Sequence, residues 1–278
     1  MIIFIYILNK YNMNFIFPIP TELLYYICSY LSYRDILYLS RTSFYFNILL
    51  SQSDYIWQIL FRRDFSSYIK SDDYYALYQQ IIRNTRNKTS NEILIYAAEN
   101  GYDLLVQRSL DLGANNYYWT MSRAALGGHE SIVKKMFKLG AINYDWAMAN
   151  AAKGGHEKLV KEMLKIGAKN YNGAMANAAL GGHENIVKLM LDHGANNYNE
   201  AMSLAAQAGQ ENIVELMLKL GANDYNRAMV SAARYGHEKI VEWMLKLGAN
   251  DYSSAMDRAA LNGHKNIYEF IRIFMNLF

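Results

Sequence analysis

A unit of 27 residues recurs from residue 91 to the end of the chain, and this recurrence constrains the fold more than any other feature. One glycine of the unit stands at positions 101, 128, 155, 182, 209, 236 and 263. An Ala-Ala pair keeps the same step, from residues 97–98 to residues 259–260. Because so short a unit cannot bury an apolar core alone, the repetition predicts a stack of seven like units.

Each unit contains two helical patterns, which are clearest in residues 199–223. The first pattern, named helix A, places small and apolar residues at i, i+3, i+4 and i+7: Met202, Ala205, Ala206 and Gly209. A second apolar stripe follows and predicts helix B: Ile213, Val214, Met217, Leu218 and Leu220. The chain has only two prolines, both before residue 21, which agrees with helices throughout. The predicted fold is therefore all-α, a helical-pair repeat solenoid.

The helix ends also recur. Gly221 and its equivalents are predicted to end helix B in the left-handed conformation. Residues whose side-chain oxygen can accept an amide hydrogen are predicted as N-caps of helix A: Asp145, Asn172, Asn199, Asn226 and Ser253. A tyrosine precedes each of these caps, where we expect it to plug the space between loops, and Tyr118 interrupts the cap series. The seventh unit has no Gly-Ala pair and carries Arg272 in place of leucine, so it is predicted to be a C-terminal cap.

Composition excludes several classes of protein. An apolar fraction of 52% predicts a folded chain, and a net charge of +3 gives no broad basic field for nucleic acid. The single cysteine, Cys28, excludes an internal disulfide. The chain contains no phosphate-binding loop, zinc signature or nucleophile elbow, so we expect neither enzymatic activity nor a cofactor.

The repeats are preceded by an aromatic-rich block. Residues 1–16 are predicted to be a poorly ordered extension, because the apolar run at residues 1–8 is far shorter than the roughly 20 residues that span a bilayer. A connecting segment over residues 66–90 is predicted to contain a helix at 71–85 and a polar linker at 84–91. No membrane partner is expected.

Five recurring histidines raise the question of metal binding: His129, His156, His183, His237 and His264. Equivalent positions in neighbouring units lie about 10 Å apart, whereas two ligands of one metal each lie about 2 Å from it. We therefore expect a structural role and no metal. The recurring methionines fall on the apolar faces, so they are expected in the core.

A lysine cluster on helix B allows two interpretations: Lys134, Lys135, Lys138, Lys161 and Lys165. It could form a weak basic patch, or a solvated face in which glutamates alternate with the lysines; we favour the second.

Target recognition is expected where the units differ from one another. The position after each predicted N-cap varies from tryptophan to glycine to arginine. The helix A position that faces away from the Ala-Ala pair varies among leucine, lysine, glutamine and arginine. Exposed tryptophan, tyrosine and arginine are typical anchors of protein interfaces. The candidate target-binding residues are Trp119, Trp146, Arg227, Arg234, Tyr235 and Arg258. Ordinary surface variation is the alternative.

The words AAxxGHxxIVxxML and GAN resemble the ankyrin repeat, and the resemblance covers residues 91–278. Ankyrin units run to roughly 33 residues and carry a β-hairpin finger with a Thr-Pro-Leu-His start to helix A. This chain has only a few residues at that place, such as 196–200. The resemblance therefore implies an ankyrin-like protein-binding solenoid whose fingers are largely missing.

Residues 17–65 resemble an F-box. The family's ordered motif words are present as Ile19, Pro20, Glu22, Leu23, Leu24; Tyr30, Leu31; Asp35, Ile36, Leu37; and Trp57, Leu60. The resemblance implies binding to the Skp-type adaptor of a cullin-RING ubiquitin ligase through apolar contacts: Pro20, Leu23, Leu24, Ile27, Leu31, Ile36 and Leu37. An N-terminal helical cap of the solenoid is the alternative interpretation.

Together these features predict a monomeric, cytoplasmic substrate receptor in which the F-box-like segment docks on the ligase and the solenoid holds a target protein. The alternative is an interaction scaffold with no role in a ligase. The combination is similar to proteins of large DNA viruses that redirect host ubiquitination, which implies action in the host cytoplasm.

Overall fold

The computed structural model describes residues 74–85 and 87–277, together with residues 58, 62, 64 and 65. Residues 74–85 and 87–277 contain fifteen α-helices and no β-strand, so this part of the chain is all-α. The predicted extension at residues 1–16 lies outside the described residues. The predicted adaptor contacts also lie outside them: Pro20, Leu23, Leu24, Ile27, Leu31, Ile36 and Leu37.

Helix α1 spans Tyr74–Thr85, where the connecting helix is predicted, and seven helix pairs follow it. In each pair helix A has an even number and helix B an odd number. The pairs are α2 Ser90–Glu99 with α3 Asp103–Asp111; α4 Tyr117–Leu126 with α5 Glu130–Lys138; α6 Tyr144–Lys153 with α7 Glu157–Lys165; α8 Tyr171–Gly181 with α9 Glu184–Asp192; α10 Tyr198–Gln207 with α11 Glu211–Lys219; α12 Tyr225–Tyr235 with α13 Glu238–Lys246; and α14 Tyr252–Leu261 with α15 Lys265–Leu277.

The chain divides into two compact parts. The first part is residues 1–97 with 102–114, and the second part is residues 98–101 with 115–278. In the described residues of the first part, three aromatic rings cluster beside buried aliphatic side chains. The Tyr102 ring lies 6.2 Å from the Phe65 ring and 6.0 Å from the Tyr96 ring, measured between centroids. A capping box starts α2, because the Thr89 amide donates to the Glu92 carboxylate (2.8 Å) while the Glu92 amide donates to the Thr89 hydroxyl (3.3 Å).

The second part is a regular stack of repeat units. Each helix A from α4 to α12 packs against the next helix A, and each from α4 to α14 packs against its own helix B, whereas successive helices B touch only sparsely. Helices A have ten or eleven residues and helices B nine, except for α15 with thirteen. Helix α15 runs on because no glycine stands where the earlier helices B end.

The core of this stack follows the repeated apolar positions. The Ala-Ala pairs of α4 to α12 are wholly buried, and so are the methionines of the same helices. Ile213, Val214 and Met217 of α11 are buried as predicted. Leu218 is only half-buried and Leu220 is exposed, so the predicted helix B stripe is too wide. The reason is that α11 ends at Lys219, which leaves Leu220 as the residue after the helix.

The glycines end the helices as predicted in one case and differently in another. Gly221 has φ +98°, the left-handed conformation that stops a helix, and its equivalents in the other units share it. Gly209, predicted on the helix A stripe, instead lies beyond the end of α10 with φ +71°. There it forms the tight turn into α11.

The predicted N-caps of helix A are wrong by two residues. Each helix A begins at its tyrosine, and the cap is the residue before it: Asn143, Asn170, Asn197, Asp224 and Asp251. The Asn197 side chain accepts a hydrogen bond from the Glu200 amide (3.3 Å), and the other four caps make the equivalent bond. The tyrosines, predicted to plug the space between loops, are half-buried at the first helical position.

Four of the five residues predicted as caps join one unit to the next instead. Asn199 is the second residue of α10, and its Oδ1 accepts hydrogen bonds from the amides of Asn223 (2.7 Å) and Asp224 (3.0 Å) in the following loop. We name the residues that make this bond pair the loop ladder: Asp145, Asn172, Asn199 and Asn226. The ladder ties the start of a helix A to the following loop, at the place where an ankyrin finger would stand.

Replacing Asn199 with alanine is expected to lower the free energy of unfolding by about 1 kcal/mol, because two loop amides lose their acceptor. Urea unfolding followed by circular dichroism measures the change. Ser253→Ala is the matched control: it changes the same position of the last unit, where the described residues provide no following loop. We expect Ser253→Ala to change stability by less than about 0.5 kcal/mol. Equal losses in the two variants would show that the ladder contributes nothing.

Candidate functional site

In the second part of the chain, one face of the helix A layer is exposed. The third, seventh and tenth residues of each helix A lie at i, i+4 and i+7, on one side of the helix. These side chains are exposed or half-buried from α4 to α14, whereas the residues between them that face the neighbouring helices are mostly buried. We name this surface the helix A face.

The N-caps fix the third position of the helices A from α6 to α14. The amides of Trp146, Gly173, Glu200, Arg227 and Ser254 each donate to the side chain of their cap. This bond holds the start of the helix, so the third side chain leaves these five helices at the same place, whereas Asn116 makes no such bond at the start of α4. Side chains at this position are close enough to touch across units, because Arg227 Nη2 lies 2.6 Å from Glu200 Oε2.

The recurring histidines fix the tenth position. His156 Nε2 lies 2.9 Å from the carbonyl oxygen of Leu126, the tenth residue of α4, which is the helix A of the preceding unit. Four other histidines make the same bond at 3.1 Å, to Glu99, Lys153, Gln207 and Arg234. Burial is the main cause that holds the pKa of His129 below its ordinary value, which favours the neutral ring that donates from Nε2. The structural role predicted for these histidines is therefore a bond between units.

Gln210, between α10 and α11, interrupts this histidine series at the place from which a histidine would bond to α8. Its side chain packs against Gly182 and makes no hydrogen bond within the described residues. No signal in the sequence alone links position 210 to a carbonyl thirty residues earlier, because the acceptor belongs to another unit.

Two tryptophans are the largest apolar side chains of the helix A face. Trp119 and Trp146 occupy the third position of the adjacent helices α4 and α6, and they are 48% and 53% exposed. The Trp119 ring makes an edge contact with Tyr118, 5.2 Å between centroids. Exposed tryptophans on neighbouring helices are a typical anchor for a protein partner.

The charged residues of the helix A face are mostly cations. Arg227 is paired with Glu200, and Arg123 Nη1 lies 3.5 Å from Glu99 Oε1. Three further cations on this face have no carboxylate partner within the described residues: Lys153, Arg234 and Arg258. The Arg234 guanidinium lies 5.5 Å from the centre of the Tyr235 ring, which is 45% exposed.

The outer surface of the helix B layer is balanced in charge. Lys158 Nζ lies 2.8 Å from Glu130 Oε2, and Lys134 Nζ lies 3.2 Å from Glu162 Oε1, so lysines of one helix pair with glutamates of the next. The hydrogen bond from Lys158 is the main cause that holds the pKa of Glu130 below its ordinary value. The lysine cluster of α5 and α7 is therefore largely a solvated face with interleaved glutamates, in which Lys134 and Lys161 are paired within the stack.

The structure brings the predicted target-binding residues onto one face. Trp119, Trp146 and Arg227 stand at third positions, Arg258 at a seventh and Arg234 at a tenth, with Tyr235 directly after it. Sequence reasoning missed Lys153 and the Glu200–Arg227 pair. Both stand at varying positions of the repeat, which is the signal that finds them.

Among the described residues, no three histidine, cysteine, aspartate or glutamate side chains lie close enough to hold a metal ion. Within that part of the chain, each helix is too short or too polar to cross a bilayer.

Comparison with known protein families identifies two segments of the chain. Residues 148–228, from α6 to the start of α12, match the family model for ankyrin repeats in three copies. Residues 17–63 match the F-box-like family model, over almost the whole segment predicted at 17–65. No curated protein matches the chain significantly. The two family matches support a protein-interaction role.

Proposed function

We propose that this chain, which carries an F-box-like segment ahead of ankyrin repeats, is a substrate-recruiting subunit of a cullin-RING ubiquitin ligase. The F-box-like segment binds a Skp-type adaptor, and the helix A face holds the target protein. The observation that carries the proposal is the presence of both kinds of interaction module in one chain.

The proposed mechanism is proximity. The chain supplies no catalytic group of its own; it holds the target near the subunits that transfer ubiquitin, and a raised local concentration accelerates the transfer. In this proposal the chain acts as a monomer, in the cytoplasm of a host cell. The exposed tryptophan pair and the unpaired cations of the helix A face support the assignment of the target to that face.

Adaptor binding tests the proposal. The full-length protein is immobilised, and a purified Skp-type adaptor is passed over it while the dissociation constant is measured. The double change Leu23→Asp and Leu24→Asp places two carboxylates in the predicted apolar contact. We expect this change to weaken adaptor binding by about 100-fold, which is typical of the loss of a central apolar anchor.

The matched control is Leu112→Asp with Leu261→Asp, because these leucines are 68% and 78% exposed and lie outside the F-box-like segment. The control is expected to bind the adaptor like the unchanged protein. If the unchanged protein does not bind the adaptor, or if the first double variant binds as well as the control, the ligase role is wrong. The chain would then be an interaction scaffold.

A further inference from the structure

In the second part of the chain, charge is distributed unevenly between the helix A layer and the helix B layer. On the helix B layer, lysines and glutamates pair within and between helices, as in Lys158 with Glu130 and Lys188 with Glu184. On the helix A face, the carboxylate of Glu200 is already paired with Arg227, and Arg123 is paired with Glu99 of α2. The cations that remain unpaired on this face therefore have no carboxylate within ion-pair distance among the described residues.

The unpaired cations and the tryptophans lie at separate places along the stack. Trp146 is on α6, whereas Arg234 is on α12 and Arg258 is on α14. These are the third and fourth helices A after α6. Packed helices lie about 8 to 10 Å apart, so these separations are about 24 to 40 Å. An extended peptide covers about 3.3 Å per residue, so about 7 to 12 residues bridge the two places.

The surface between these two places does not oppose a bound chain. Gly173 stands at the third position of α8, where Trp119 and Trp146 stand in the two preceding helices A. Leu180 and Gln207 occupy the tenth positions of α8 and α10, and both are half-buried and uncharged. A backbone can therefore pass from the tryptophan pair to the arginines without meeting an unpaired carboxylate on this face.

We propose that the helix A face binds an extended acidic segment of the partner protein, with an apolar side chain at the tryptophan pair and a carboxylate cluster at Arg234 and Arg258. Arg234, which stacks against Tyr235, is the anchor for the carboxylates, because a guanidinium held by a ring keeps its fork of donors free for a bidentate pair. This inference rests on the proposed function only in placing the target on this face.

Peptide selection on the full-length protein tests the inference. A random library of 16-residue peptides displayed on phage is selected against the full-length protein. The double variant Arg234→Glu with Arg258→Glu serves as the counter-selection. We expect the enriched peptides to carry a net negative charge and an apolar residue about 7 to 12 positions from the acidic cluster. The affinity of each synthetic peptide is then measured by fluorescence anisotropy.

We expect Arg234→Glu with Arg258→Glu to weaken binding of the enriched peptides by at least about 10-fold, and Trp146→Ala to weaken it by about 5-fold or more. Lys138→Glu with Lys165→Glu is the matched control. It reverses two exposed cations at the ends of α5 and α7, and we expect it to leave the affinity unchanged. Circular dichroism confirms that each variant is folded.

Several results overturn the inference. Enrichment of neutral or basic peptides, no enrichment at all, or equal affinity for the double variant and its control would each contradict it. So would tighter binding of a fluorescein-labelled 20-nucleotide RNA that the double variant loses, because the face would then recognise phosphate. Adaptor binding is measured separately, so a failure here leaves the ligase role standing, and a failure of the ligase role leaves this result interpretable.

Discussion

Gly209→Ala is expected to lower the free energy of unfolding by about 2 to 4 kcal/mol, through two separate effects. The first is conformational: Gly209 has φ +71°, a region that costs an L-residue about 1 to 2 kcal/mol. The second is a collision, because a Cβ at this position would stand 2.6 Å from Cε1 of His237. The ring must move, and its bond to the Gln207 carbonyl (3.1 Å) between units is then lost.

Gly263→Ala separates these two effects. Gly263 has nearly the same conformation, φ +80°, but a Cβ there meets nothing within 4 Å. The control should therefore cost only the backbone strain of about 1 to 2 kcal/mol. Urea unfolding of both variants measures the difference. A cost that is the same for the two glycines would contradict the role assigned to the histidines as bonds between units.

The second large effect is expected at a core methionine. Met229 is wholly buried in α12, where neighbouring helices A pack on both sides. Met229→Ala removes buried apolar surface and leaves a cavity, so the expected loss is about 2 to 5 kcal/mol. Thermal and urea unfolding measure it.

Met256→Ala changes the same position of the last unit. Met256 is only half-buried, since the described residues provide no further helix A beyond α14. We expect a loss of about 1 kcal/mol or less there, because less apolar surface is removed from the core. If the two methionines cost the same, burial by the next unit would not be the source of stability in the stack.

The repeat predicts most of this fold. Two stripes with helical spacing and a glycine at each turn determine where the helices lie and which side chains are buried, as the Ala-Ala pairs and methionines show. Local chemistry does not determine which of two nearby polar residues caps a helix. Asn197 and Asn199 have the same side chain, and only the position of the next loop assigns the first to the cap and the second to the loop ladder.

Contacts between units are the part that sequence reasoning reaches least. The histidines were expected to be structural, yet their acceptor is a backbone carbonyl of the preceding unit, which no side-chain pattern identifies. On the helix A face, the variable positions were found from the sequence as a set. The pairing of Arg227 with Glu200, which leaves Arg234 and Arg258 as the unpaired arginines there, depends on distances that only the structure provides.

The adaptor contacts rest on sequence alone, since Pro20 to Leu37 lie outside the described residues. Their support is the order of the motif words and the family match at residues 17–63. A direct binding measurement with a Skp-type adaptor tests this segment.

The central claim is that one chain has two independent binding ends. The most direct test measures the affinity of three full-length proteins for both the Skp-type adaptor and a selected acidic peptide: the unchanged chain, Leu23→Asp with Leu24→Asp, and Arg234→Glu with Arg258→Glu. We predict that the first variant loses the adaptor and keeps the peptide, while the second keeps the adaptor and loses the peptide. The claim would be contradicted if either folded variant lost both ligands, or if both variants kept both ligands.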